Sequence, residues 1–235
     1  MGDGMEQALW AGLKELGLEP PAEAVGRMCR FGRALLEKNQ VMNLTAITDP
    51  VQVARLHFLD SLTLLTLADF SRKRVIDVGC GGGFPGVPLK LACPGLELTL
   101  LDSLGKRMAW LRETLPAMGI EAFCVTARAE EYALQVREQY DYAVSRAVAR
   151  LDILCELCLP FVRVGGAFFA MKGAGAEQEL RQAARSIELL GGRLERTEAF
   201  SRDGVCHSVA VIRKVRPTPP QYPRRVSQIK QRPLR

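Results

Sequence analysis

The stretch Val75-Ile76-Asp77-Val78-Gly79-Cys80-Gly81-Gly82-Gly83-Phe84-Pro85-Gly86 constrains this chain more than any other. A β-branched run enters it, and five glycines follow within eight residues. Val87-Pro88-Leu89-Lys90-Leu91-Ala92 then reads as the start of a helix. Glycines admit positive φ and let a ligand come close to the backbone. Strand, glycine loop, helix is the opening of a nucleotide-binding α/β unit.

The rest of the pattern agrees. From residue 74 strands and helices alternate. Strands are expected at 74–78, 97–101, 121–126, 140–145 and 165–171. Helices are expected at 86–92, 105–118, 130–138, 149–160 and 176–190. Strands 193–199 and 206–213 close the series with no helix between them, which implies one antiparallel strand in a mostly parallel seven-stranded sheet. Pro217, Pro219, Pro220 and Pro223 then rule out further sheet. Ahead of the first strand come about seventy residues with helical spacing: Leu9, Trp10, Leu13 and Leu16, then Val25, Met28, Phe31 and Leu35. Asn39–Thr45 breaks the run, and Asp49-Pro50 starts another helix through Val53 and His57. The expected division is a helical N-terminal extension at 1–70, an α/β domain at 71–214 and a basic Pro-rich tail at 215–235.

Two ligand classes suit the glycine loop. Gly81-x-Gly83-x-x-Gly86 formally matches a dinucleotide fingerprint. Pro85 argues against it, because a pyrophosphate wants free N–H groups at the helix start. Asp77 before Gly79-x-Gly81-x-Gly83 suits a cationic ligand such as S-adenosylmethionine (SAM). Asp102 ends the second strand, where a ribose diol finds its acceptor in either case. In such sheets the ligand lies across the carboxyl ends of the strands. Those ends carry Asp102-Ser103, Arg128-Ala129-Glu130, Ser145-Arg146-Ala147 and Lys172-Gly173. A nucleoside therefore falls over strands one to three, leaving strands four and five for a second substrate.

Composition narrows the class. The chain has seven cysteines without framework spacing and an N-terminus unlike a signal peptide, which suits a reducing, cytoplasmic setting. Cys155-x-x-Cys158 has no second pair or histidine cluster and reads as packing, so no metal site is expected. No apolar run reaches the length of a membrane span. Residues 213–235 hold eight basic and no acidic residues, so the chain's +6 less these eight leaves −2 for the rest. That asymmetry suggests a polyanion partner.

The motifs Asn43-Leu-Thr-Ala-Ile47, His57-Phe-Leu-Asp-Ser-Leu62, Asp77–Gly86, Leu101-Asp-Ser-Leu-Gly-Lys-Arg107, Ser145-Arg-Ala147 and Lys172-Gly173 together resemble the RsmG (GidB) family. The resemblance covers nearly the whole chain. It implies a Rossmann-like class I SAM-dependent methyltransferase fold. It also implies methylation of N7 of a guanine in a loop of 16S ribosomal RNA near the decoding site, with the RNA or the small ribosomal subunit as partner. By the same resemblance Asp77, Gly79, Gly81, Gly83, Phe84, Asp102, Ser103, Ala129, Glu130 and Arg146 are expected at SAM. Arg146 also positions the reacting base. Asn43, His57, Asp60, Ser61, Lys172, Arg224 and Arg225 are expected on the RNA side. The chain departs from the family at Lys38, in place of a usual tryptophan, and at Val226-Ser227, in place of a usual Pro-Gly.

Guanine N7 has an in-plane lone pair and no proton, so its attack on a methyl group needs alignment rather than a general base. No Ser–His or Cys–His arrangement is then expected, and His207, in an apolar strand, reads as structural. Two rival classes remain from residues alone. One is an NAD-dependent oxidoreductase, disfavoured by Pro85 and by the lack of a histidine–carboxylate pair. The other is a non-catalytic RNA-binding protein, disfavoured by the intact loop with Asp102.

Overall fold

The computed structural model describes residues 4–146, 148–173 and 175–234. Ala147 of the Ser145-Arg146-Ala147 motif and Arg235 of the basic segment lie outside the described residues. Seven strands form one sheet: β1 (Arg74–Val78), β2 (Glu97–Asp102), β3 (Phe123–Thr126), β4 (Tyr140–Arg146), β5 (Val162–Lys172), β6 (Gly192–Arg202) and β7 (Val205–Lys214). The order is β3-β2-β1-β4-β5-β7-β6. β1 to β5 run parallel to one another, and β7 pairs antiparallel with both β5 and β6. The order reverses between β1 and β4, so the crevice at their carboxyl ends is the expected ligand position.

Helices cover both faces. On one side lie α1 (Gly4–Leu16), α2 (Ala24–Met42), α5 (Gly86–Ala92) and α6 (Gly105–Ala117), with a chain of short turns between α2 and β1. Those turns are α3 (Pro50–Val53), a π-helical stretch Ala54–Leu59, α4 (Asp60–Leu62) and a 3₁₀ turn Thr63–Thr66. On the other side lie α7 (Ala129–Tyr132), α8 (Leu151–Cys158) and α9 (Ala176–Leu189). Each side has its own apolar cluster. Phe31, Phe58, Phe84 and Trp110 belong to the first, together with sheet residues Leu98, Leu100 and Phe169. Leu154, Cys155, Cys158, Phe161 and Phe168 belong to the second. The N-terminal helices therefore bury their apolar stripe directly on the sheet. Burying each of these large side chains contributes roughly 1.5–3 kcal/mol. Cys155 and Cys158 are fully buried in the second cluster.

One element departs from the sequence reading. The helix expected over 130–138 stops at Tyr132, and the chain continues in turns to Glu138 at φ 53, with Arg137 bound to the C-terminal segment. The helix that Asp49-Pro50 starts is present and runs on to Thr66, passing from α through a π-helical stretch to a 3₁₀ turn. Residues 215–234 pack onto the body: Ile229 of α10 (Val226–Gln231) is fully buried, and Arg137 donates to the carbonyls of Thr218, Pro219 and Tyr222. Among the described residues no helix is long and apolar enough to cross a membrane.

Candidate active site

One cavity of about 920 Å3 opens at the carboxyl ends of β1, β2, β4 and β5. The glycine loop forms its floor. Gly79 and Gly81 have φ of 75° and 55°, in the left-handed region. A Cβ on Gly79 would meet Val148 Cγ2 at 2.5 Å, so the loop also needs glycine for close packing. The N–H groups of Gly79 and Cys80 donate to Leu101 O, tying the loop to the end of β2.

Asp102 is the hub of the β1–β2 end. Its Oδ2 accepts from Gly81 N–H at 3.0 Å and its Oδ1 from Leu104 N–H at 2.9 Å. The carboxylate stays on the cavity wall beside Ser103, with Ala129 and Glu130 opposite at the start of α7. A carboxylate oxygen takes more than one donor, so Asp102 keeps capacity for a diol. Asp77 is placed differently. It is fully buried behind the loop and does not line the cavity. Its Oδ2 accepts from Gly86 N–H at 2.8 Å, while Oδ1 has no hydrogen-bond partner. Burial pushes its carboxyl up to about 7. Its work is to hold the loop against α5. The amide at the start of α5 is thereby occupied and does not face the cavity, which removes the contact that a pyrophosphate would need.

The β4 end carries a second constellation. Arg146 Nη1 donates to Leu56 O and to Asp60 Oδ2, each at 3.1 Å, and its Nη2 donates to His57 Nδ1 at 3.0 Å. Its guanidinium lies 5.3 Å from the centre of the Phe84 ring. His57 Nε2 lies 2.7 Å from Thr45 Oγ1, and Asn39 braces the backbone of Thr45 through both its amide atoms. An arginine only donates, so His57 Nδ1 is the acceptor and the proton sits on Nε2. Burial, reinforced by the charge of Arg146, pulls the His57 pKa down to about 3. His57 is therefore a neutral imidazole with both nitrogens engaged. It also packs on Phe84, with ring centroids 4.9 Å apart. The π-helical stretch 54–59 turns His57, Leu56 and Asp60 toward Arg146 together, as π-turns at functional sites do.

Asp60 is almost fully buried and joins Arg146 to His207 on β7, whose Nδ1 lies 3.1 Å from Asp60 Oδ1. That contact is within ion-pair distance but outside hydrogen-bond alignment, since Oδ1 has no hydrogen-bond partner. His207 also lines the cavity and stacks on Phe200 at 5.6 Å. The outward-facing positions of a strand end are what the apolar run around His207 concealed.

The structure brings Gly79, Gly81, Phe84, Asp102, Ser103, Ala129, Glu130, Arg146, His57, Asp60 and Lys172 to this one cavity. Lys172 is held there by Ala149 O at 2.7 Å and Glu179 Oε2 at 2.8 Å. Gly83 packs behind the loop, where a Cβ would meet Val87 at 2.8 Å. Asn43 is the exposed left-handed cap of α2. Ser61 is buried and donates to His57 O at 2.6 Å, so it shapes the π-turn without facing the cavity. Arg224 lies away from the cavity, its Nη2 2.6 Å from the buried carboxylate of Glu156, so a direct RNA contact by its guanidinium is not what the structure offers. Arg225 is exposed at the N-cap of α10. Arg128, named with Ala129 and Glu130 at the end of the third strand, and Arg107, given no role beyond its motif, add positive charge to the cavity wall. Arg107 Nη1 would lie 3.8 Å from a Cβ on Gly81, directly over the glycine loop.

The family model GidB, described as rRNA small subunit methyltransferase G, matches residues 25–208. A curated relative, "Ribosomal RNA small subunit methyltransferase G" of Alkaliphilus oremlandii (strain OhILAs), is 43% identical over 98% of this chain and 99% of its own length. Among solved structures, TrmN from Thermus thermophilus superposes with a TM-score of 0.55 at 21% identity, covering 67% of this chain and 48% of that one. M. jannaschii TYW2 in complex with AdoMet superposes with a TM-score of 0.51 at 15% identity, over 63% of this chain and 72% of that one. These two carry the fold alone.

Proposed function

Since the chain belongs to the GidB family, rRNA small subunit methyltransferase G, we propose that it moves the methyl group of SAM to N7 of a guanine in a loop of 16S ribosomal RNA near the decoding site. The fold is that of a class I SAM-dependent methyltransferase, and the cavity has room for a nucleoside and a base together. SAM lies over β1 and β2 in this reading. Its ribose hydroxyls meet Asp102, its adenine lies between Ser103 and Ala129–Glu130, and its methionine end crosses Gly79 and Gly81. The target guanine enters from the β4–β5 side, against Arg146, His57 and Lys172.

The observation that carries the reading is the state of His57. The one imidazole beside Arg146 has both nitrogens bonded and a depressed pKa, so it takes no proton from a substrate. A nucleophile without a proton, such as guanine N7, fits that site. The carbon–sulfur bond of SAM breaks as the N7–carbon bond forms, and the base gains a fixed positive charge. Arg146 is itself a cation, so its part is to fix position: tied to Leu56, Asp60 and His57, it sets the wall against which N7, methyl carbon and sulfur line up. Phe84 and His57 give that wall a flat, apolar face.

Nucleoside mass spectrometry of small-subunit RNA tests this directly. RNA from cells lacking the protein should lose one 7-methylguanosine, and the gene should restore it. Unchanged 7-methylguanosine content contradicts the reading. The rate of transfer should be flat between about pH 6 and 8, because neither N7 nor His57 titrates there. Asp77, raised to about 7 behind the loop, could add a step there, so an inflection in the histidine range that persists in Asp77→Asn would show that a base is at work.

A further inference from the structure

The chain leaves β7 at Lys214 and crosses the face of the sheet that carries α7, α8 and α9. Both ends of this crossing are anchored. At its start the buried Lys214 Nζ donates to Leu159 O at 2.7 Å, Val162 O at 3.0 Å and Thr218 Oγ1 at 2.7 Å, with Glu138 Oε1 2.9 Å away. Further on, Glu156 of α8, fully buried, grips Arg224. Its Oε1 accepts from Arg224 N–H and Nε, each at 2.8 Å, and its Oε2 accepts from Nη2 at 2.6 Å. A bidentate pair that also takes the backbone N–H fixes the main chain as well as the side chain. The next residues are α10, with Ile229 turned into the core.

That geometry sets the other side of α10. Val226 and Lys230, four residues apart on one helical face, line the main cavity. The apolar clusters show which end they reach. Ile229, Tyr222 and Leu234 pack in the same cluster as Ala127, Ala129 and Ile153, whereas Phe84 and Phe200 belong to the opposite cluster. Val226 therefore stands on the face that carries α7 and α8, opposite Phe84 and Phe200.

We infer that the C-terminal strap, through Val226 on α10 and the Glu156–Arg224 anchor, forms one wall of the adenosine end of the SAM site. It is a cofactor-binding element rather than a free basic arm. The inference rests on the placement of SAM given above. Purine rings bind best between apolar surfaces, and Ile153, Leu157 and Val226 supply one such surface beside Ala129. A carboxylate placed there loses its hydration under the purine, with only the exposed Lys230 one turn along to offset it, and opposes binding.

Calorimetry with the full chain tests it. Val226→Asp should weaken SAM and S-adenosylhomocysteine at least tenfold and raise the KM for SAM, with kcat at saturating SAM changed less than about threefold. Val226→Ile should stay within about threefold of the natural chain. Hydrogen exchange of the unaltered protein gives a readout that needs no variant: saturating SAM should slow exchange of the amides in 224–231. Wild-type affinity in a folded Val226→Asp protein, or exchange in 224–231 indifferent to SAM, overturns the inference. Failure of the unaltered protein to bind SAM would instead overturn the cofactor reading on which it stands.

Discussion

Replacing Arg146 by Ala should cost stability as well as activity, and the stability cost should depend on pH. The guanidinium holds Asp60 Oδ2 at 3.1 Å, with side-chain exposures of only 17% and 2% for the two partners. Removing one member of a buried pair leaves the other charge uncompensated, at a cost of about 3–5 kcal/mol. His57 adds the pH dependence. Its pKa is near 3 in the folded chain against 6.5 unfolded, so folding favours the neutral form. That contribution is present above pH 6.5 and is lost as pH falls toward 3. At pH 5.5 the loss is at most about 1.4 kcal/mol by linkage. Burial causes most of the depression and Arg146 the next part, so Arg146→Ala relieves some of it. The deficit of the variant should therefore be about 3–5 kcal/mol at pH 7.5 and smaller, by up to about 1 kcal/mol, at pH 5.5. Urea unfolding at the two pH values measures both. A deficit below about 1 kcal/mol at pH 7.5, or one that grows as pH falls, refutes the argument. Methyl transfer by the folded variant should drop at least about a hundredfold, near 2.7 kcal/mol of barrier.

The two carboxylates of the glycine loop should separate. Asp102→Ala loses the acceptor for Gly81 and Leu104 as well as the proposed ribose contact, and SAM affinity should fall about ten- to a hundredfold, or 1.4–2.7 kcal/mol. Asp77→Asn keeps an oxygen for Gly86 N–H and does not touch the cavity, so calorimetry should find SAM affinity within about threefold; equal damage from both would contradict their placement. Gly79→Ala should destabilise by about 1–2 kcal/mol from left-handed strain alone, with Val148 displaced on top of that, and a thermal melt unchanged from the natural chain would show that the loop relaxes freely.

The sheet was legible because its signal is periodic. Alternating strands and helices, one glycine loop and a closing strand pair without a helix leave few topologies open. Asp102 and Gly79 were legible for a similar reason: each follows a strand at a spacing that the ligand geometry dictates. What stayed hidden depends on long-range partners. Nothing near Asp77 in the sequence says that its carboxylate turns back to Gly86. Nothing near Arg224 says that Glu156, 68 residues earlier, is buried beneath it. The basic count of the C-terminal segment suggested a polyanion partner, yet Lys214 and Arg224 are engaged by Glu138 and Glu156. Nor does anything near Arg137 and Glu138, in the helix expected over 130–138, say that both bind the strap. His57 and His207 illustrate the limit well. Their roles follow from Asp60, which meets one through Arg146 and the other directly, across three separate elements.

The identity of the methylated atom is the most direct test of the account. Methylation at N7 makes guanine a fixed cation whose imidazole ring is open to borohydride reduction and later strand scission, whereas methylation at N1 or N2 does not. Purified protein, SAM and small-subunit RNA should therefore yield one borohydride-dependent scission site, in one loop of the RNA. Labelled methyl transferred to the RNA without that scission would show that another atom is modified, and that the neutral, fully bonded His57 does not mean what is claimed for it here.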